Sequence, residues 1–190
     1  MAKNPDISRL IEERTAKAER WVRNNLPRMV GQEAVEHFKE NFGREGFVDG
    51  GLHKWPDVKR RDPNSPWYGF DYQGEKRTSY AFRKDRKTGK SYKSKKQKKL
   101  NFSKAATRRK ILDGSGHELQ DSLRYVETPG GVMITSDKPY AAVQNDGGTA
   151  KVFGKKSVRL PARPFVGESK ELDGKIERII DKGLDNILNL

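Results

Sequence analysis

Residues 111–136 read ILDGSGHELQDSLRYVETPGGVMITS, and the apolar period changes inside that stretch. Leu119, Ser122 and Leu123 follow helical spacing, whereas Leu123 and Tyr125 begin the alternation of a half-buried strand. Pro129-Gly130-Gly131 is a hairpin turn. After it Val132 and Ile134, alternating with Met133 and Thr135, read as a second strand. Two strands joined so tightly can only pair antiparallel. Just upstream, Thr107 to Leu112 can be a short helix or strand, and Gly114 and Gly116 make a turn. Downstream, Pro139 to Val143 suggests a short helix ending near Gly147 and Gly148, and Val158 with Leu160 a further short strand.

Helical patterns occupy both ends of the chain. Ile7, Leu10, Ile11, Ala18, Trp21 and Val22 form one stripe, with Asn4 or Asp6 as cap and a break at Asn24, Asn25 and Pro27. A second helix carries Val30, Ala34, Val35, Phe38 and Phe42 on one face and stops at Gly43 or Gly46. The last segment, Lys170 to Leu190, places Leu172, Ile176, Ile179, Ile180, Leu184, Ile187 and Leu188 on one face, the strongest helical pattern in the chain. Between Phe47 and Tyr80, glycines and prolines alternate with Trp55, Trp67, Tyr68, Phe70 and Tyr72. Regular elements there are short, and the aromatics pin the segment or reach a neighbour. The expected class is α+β: a small antiparallel sheet packed with N- and C-terminal helices.

The 190 residues fit a single domain, with residues 83–104 as a basic, flexible insertion. The net charge of +14 is concentrated: residues 83–110 hold fourteen Lys/Arg and one acid, Asp85. The rest of the chain is nearly neutral. With 35% charged and 33% hydrophobic residues, some segment must be solvated or await a partner. Cysteine is absent, which excludes disulfides and thiolate chemistry and suits a protein made and used in a reducing cytoplasm. Nothing resembles a signal peptide or a membrane span, so no membrane partner is expected.

Residues 160–169, LPARPFVGES, form a stiff extended segment. Pro161 and Pro164 fix two backbone angles and remove two donors, and each pushes the preceding residue toward extended geometry. Phe165 can plug a pocket and Arg163 can fork onto a carboxylate, which suits a subunit contact. Equally, Phe165 can be ordinary core and Arg163 an ordinary surface residue.

Together these features resemble the phage virion morphogenesis family of tail-completion proteins. The matching residues are Leu112, Ser115-Gly116, Leu119 and Ser122; Tyr140 to Ala142 with Gly147-Gly148; and Pro161 to Gly167. An earlier match is Asn41 to Phe47 with Trp55-Pro56, so the likeness spans roughly 30–56 and 108–190 and leaves the basic stretch out. Where the family often has a histidine after the Tyr-Ala-Ala segment, this chain has Gln144. The resemblance implies a non-catalytic virion protein at the head–tail neck. It would be a tail-completion or tail-terminator subunit forming a homo-oligomeric, hexameric ring that meets the tail tube and the head connector. It also marks Arg163, Phe165, Tyr140 and Trp55 as the expected interface residues.

No pattern points to catalysis, a cofactor or a metal. His37, His53 and His117 are scattered. Gly114-Ser115-Gly116 is not a nucleophile elbow. Gly89-Lys90-Ser91 and Gly154-Lys155 lack the leading glycine of a phosphate loop, and Asp113, Glu118 and Asp121 show no metal-ligand pattern. The basic stretch, with Lys93, Lys95, Lys96, Lys98 and Lys99 and interleaved Tyr92 and Phe102, can track nucleic acid or dock on an acidic protein. The alternative reading of the chain is thus a nonspecific DNA-binding protein acting through residues 83–110.

Overall fold

The element order in the computed structural model is α1 (Ile7–Asn24), α2 (Leu26–Arg44), β1 (Gly46–Val48), β2 (Leu52–Lys54), β3 (Tyr80–Lys84), β4 (Ser91–Lys95), a 3-10 turn (Ala105–Arg108), α3 (Glu118–Asp121), β5 (Leu123–Thr128), β6 (Gly131–Ser136), α4 (Ala141–Asp146), β7 (Gly148–Val152), β8 (Lys156–Leu160) and α5 (Lys170–Leu188). The structure describes residues 7–71, 80–95, 102–113, 117–152 and 156–188; the expected caps Asn4 and Asp6 and the Gly114–Gly116 turn lie outside them. The class is α+β. In place of one small sheet, the described strands form four separate antiparallel hairpins, each strand pairing with its neighbour in sequence. Such pairings close the shortest loops. Residues 1–56 with 116–190 make up one unit, and residues 57–115 another, a larger segment than the 83–104 set apart in the sequence.

Within the first unit α2 is the beam on which the rest packs. It touches α1, α3, α5, β1 and the β5–β6 hairpin. Its buried face is Gly31, Ala34, His37, Phe38, Asn41 and Phe42, spaced three and four apart. The Tyr125 ring lies so close to Gly31 that a Cβ there would sit 2.4 Å from Cδ2, so only glycine admits β5 at this distance. Pro27 occupies the first turn of α2, where its missing N–H costs nothing. The helix stops at neither expected glycine. Gly43 stays helical and Gly46 opens β1, while Glu45 takes the left-handed conformation (φ +52°) and sends its N–H back to the Asn41 and Phe42 carbonyls.

The outer helices are less deeply seated. No residue of α1 is buried. Its Trp21 indole lies directly over Gly183 of α5, and the Arg14 guanidinium donates to the Ile187 carbonyl at the end of α5. Helix α5 buries Leu172 and Gly183 and is tied to α2 by an ion pair from Lys175 to Glu33 at 2.7 Å.

The segment after β8 locks this unit together. Asn41 of α2 donates to the Phe165 carbonyl (3.1 Å), and the Trp55 indole N–H donates to the Pro164 carbonyl (2.6 Å). Asn145 of α4 accepts from both Phe165 N (2.9 Å) and Val166 N (3.1 Å). Arg163 N donates to the Gln144 carbonyl (2.9 Å) and Arg163 Nε to the Pro56 carbonyl (3.0 Å). The Phe165 ring packs at 5.2 Å on Phe42, which meets Trp55 edge-on at 5.7 Å.

Immediately downstream, side chains cap α5. Ser169 Oγ accepts from Leu172 N (3.3 Å), and Asp49 from Lys170 N (3.2 Å). Glu171 answers by accepting from Gly50 N and Gly51 N in the β1–β2 turn at 3.0 and 3.1 Å. Burial pushes the Glu171 carboxyl up, but the N–H groups of Glu171, Gly50 and Gly51 outweigh it and hold the group below the ordinary carboxylate range. Buried His37 makes a 3.0 Å hydrogen bond with Ser169 Oγ. Burial first, and then the Lys175 ammonium, hold this imidazole below its usual range.

The second unit is held by a different chemistry. Arg109 forks onto Asp71 at 2.6 and 3.1 Å, and Ser103 donates to the same carboxylate at 2.9 Å. Arg60 reaches the carbonyls of Ala106, Arg109 and Lys110, and Arg61 that of Arg109. Phe70 sits between Trp67 (5.2 Å) and Phe102 (5.8 Å), so aromatics do pin this glycine- and proline-rich run.

Two outcomes follow. Asn145→Ala leaves two backbone donors of the locking segment without their acceptor and should cost about 2–3 kcal/mol of stability in urea unfolding; a loss within about 0.5 kcal/mol, the range of an ordinary surface change, would show that the bonds contribute nothing. The second concerns pH. With its folded pKa depressed, His37 is protonated more readily in the unfolded chain, so its contribution is complete above about 6.5 and lost as pH falls below that value. Between about pH 7 and 5 the melting temperature of the wild type should fall further than that of His37→Gln. Parallel curves would assign the pH dependence elsewhere.

Candidate assembly surface and basic hairpin

Three of the residues expected at contacts point inward. Trp55 (6% exposed), Arg163 (7%) and Phe165 (2%) lie together inside the first unit, engaged by the bonds just described. Tyr140, at the start of α4, is 38% exposed. From Ala162 to Phe165 the exposure alternates as in an extended chain: Ala162 and Pro164 face out while Arg163 and Phe165 face in, and Pro161 before them is exposed as well. Helix α4 flanks this strip. Gly147, just past its end, packs so tightly on Ala162 that a Cβ would fall 2.7 Å from Ala162 N. The outward strip is therefore Pro161, Ala162 and Pro164, with Tyr140 one helical turn before Gln144 on the adjoining element.

Sequence reasoning missed the residues that hold the strip: Asn41, Asn145, His37 and Ser169. Asn41 carried a visible signal, an amide between Phe38 and Phe42 on an apolar helical face. Asn145 carried none, because its partners lie twenty and twenty-one residues away and no local pattern announces them. Gln144, where the family often has histidine, contributes its backbone carbonyl to Arg163, while its side-chain Oε1 is buried without a hydrogen-bond partner among the described residues.

The described part of the basic stretch forms a hairpin. β3 and β4 pair antiparallel with Arg83 opposite Tyr92 and Lys84 opposite Ser91. Asp85 builds the turn. Its carboxylate accepts from Lys87 N (2.7 Å) and Thr88 N (3.0 Å), its carbonyl accepts from Gly89 N and its N–H donates to the Lys90 carbonyl. Those N–H groups, Thr88 first and then Lys87, hold the Asp85 carboxyl below the usual range. Gly89 supplies the left-handed corner at φ +67°. Read in isolation the run looks flexible; the one acid within it closes a defined turn. Lys93 and Lys95 lie in β4, opposite Phe82 and Tyr80. Their side chains, and the whole of Lys96, Lys98 and Lys99, lie outside the described residues.

His37, Ser169 and Glu171 are in hydrogen-bonding sequence, at 3.0 and 3.4 Å, and superficially resemble a nucleophile relay. Ser169 is 2% exposed and its oxygen caps α5, so the group is a structural clamp and not a nucleophile open to substrate. No cluster of three or more His, Cys, Asp or Glu among the described residues can hold a metal ion. Gly89-Lys90-Ser91 lies in the corner of the β3–β4 hairpin; Ser115 and Gly154-Lys155 lie outside the described residues. No helix among those residues is long and apolar enough to cross a membrane.

Comparison with known proteins gives one match. The model of the phage virion morphogenesis family matches residues 74–185. No curated protein and no solved structure matches the chain. The matched range takes in the basic hairpin, which the sequence resemblance had left out, together with β5–β6, α4, the PARPFVG strip and most of α5. It begins after residues 30–56, where the resemblance had also been traced. Since the match covers more than half of the sequence and includes its most distinctive segment, the chain belongs to the phage virion morphogenesis family.

Proposed function

We propose that this phage morphogenesis protein is a non-catalytic tail-completion or tail-terminator subunit, repeated as a ring at the head–tail junction of the virion. Family membership supports a structural role in building the virion. The observation that carries the finer reading is the backing of the PARPFVG strip. Its inward groups are satisfied inside the protomer, while Pro161, Ala162 and Pro164 stand outward on a backbone that has little freedom left to lose. A face fixed before assembly costs little entropy to dock. Trp55, Arg163 and Phe165 then act from behind, setting the face, and Tyr140 extends it. Head-to-tail contacts between such faces and a different surface of the next copy close a ring, hexameric by family resemblance. Tail-tube and head-connector proteins are the partners of its two rims.

The test uses Ala162→Glu and Tyr140→Ala, both at exposed or half-exposed positions. Each should keep stability within about 0.5 kcal/mol, yet lower the yield of joined virions in complementation about tenfold or more. Wild-type yields from both variants would remove this strip from the interface. Normal virions made without the protein would remove the function.

A further inference from the structure

We infer that the β3–β4 hairpin is a binding ribbon for the phosphate backbone of double-stranded DNA, with Lys84, Arg86, Lys87 and Lys90 as its contact cations. This goes beyond the assembly role and does not depend on ring formation. The second unit holds 19 Lys/Arg against 6 Asp/Glu, a net of +13, and the remaining residues 21 against 20, so nearly all the excess charge sits on one unit.

Within that unit the cations divide into two groups. Arg60, Arg61 and Arg109 are engaged with carbonyls and with Asp71. Lys84, Arg86, Lys87 and Lys90 are exposed and pair with no carboxylate among the described residues. The one acid nearby, Asp85, has its carboxylate turned onto the N–H groups of Lys87 and Thr88. That geometry engages the Asp85 carboxylate in the turn, while the four cations pair with no carboxylate among the described residues.

The composition decides between classes of partner. Protein–protein interface cores are depleted in Lys and Ser and enriched in Met and aromatics. Residues 83–95, RKDRKTGKSYKSK, are instead Lys, Arg, Ser, Thr and one Tyr apart from the turn residues Asp85 and Gly89, and those are the side chains that contact phosphate oxygens. Lys84, Arg86, Lys87 and half-exposed Tyr92, together with Asp85, line a cleft of about 570 Å³. Shape favours duplex over single strand. A two-stranded antiparallel ribbon fits the major groove of a duplex. The bound turn loses little entropy on docking because Asp85 already fixes it.

The experiment measures binding of the full chain to a random-sequence duplex by fluorescence anisotropy. With four phosphates neutralised, affinity should fall about 150-fold between about 50 and 200 mM salt, independently of sequence. Replacing Lys84, Arg86, Lys87 and Lys90 together by Gln should weaken binding at least about 30-fold and flatten the salt slope. Asp85→Ala separates an ordered ribbon from mere charge. It raises net charge by one, so a featureless polycation would bind more tightly, whereas a pre-formed ribbon should bind several-fold more weakly. Tighter or unchanged binding by D85A, unchanged affinity in the fourfold variant, or stronger binding to single-stranded DNA or polyglutamate than to the duplex would each overturn the assignment.

Discussion

Five backbone groups in the Arg163–Val166 segment bind α2, the Trp55 side chain and α4 at once, and the first unit depends on that meeting. A proline-bracketed segment cannot satisfy itself, because two of its residues have no N–H and the rest are too extended to bond locally. Its carbonyls and amides must therefore find side chains, or be buried at a cost of about 1–3 kcal/mol each. Asn41, Trp55 and Asn145 supply those partners from three distant parts of the sequence. Phe165 and Phe42 then close the apolar side of the same joint. Each polar bond fixes one register of the strip, which apolar contact alone would not do, since hydrophobic burial has no direction.

Much of this fold was legible in the sequence because its signals are local. Helix α5 shows a sustained apolar stripe, and the β5–β6 hairpin shows alternation on either side of Pro129-Gly130. The α1–α2 break at Asn24, Asn25 and Pro27 lies where the residues place it. What escaped was set by tertiary context. Glu45 ends α2 in a conformation its side chain disfavours, because β1 must leave the helix immediately. β7 gave no apolar alternation, and it exists as the antiparallel partner of β8. The described strands form separate two-stranded hairpins, each pairing with its neighbour in sequence.

The site was half legible for the same reason. Residue types identified the PARPFVG strip but not the direction of its side chains. An alternating exposed-and-buried pattern needs to know which face meets α2, and that is fixed by Asn41 and Asn145, not by the strip. Hence Arg163 and Phe165, the chemically conspicuous residues, are the inward anchors. The outward face belongs to the prolines and Ala162, whose sequence signal is only stiffness.

Charge follows a similar logic of division. The two units differ by function of cation more than by number. In the second unit, arginines do the internal bonding, since a planar fork can bridge carbonyls and a carboxylate at the same time. Three of the four contact cations on the hairpin tip are lysines, compact strongly hydrated charges that gain least from fixed geometry and suit a partner whose charge is spread along a line. A chain selected only for solubility would have no reason to separate the two cations in this way, nor to engage the Asp85 carboxylate in turn hydrogen bonds. The separation follows if the arginines bond the unit internally and the exposed lysines stay unpaired until a polyanion arrives.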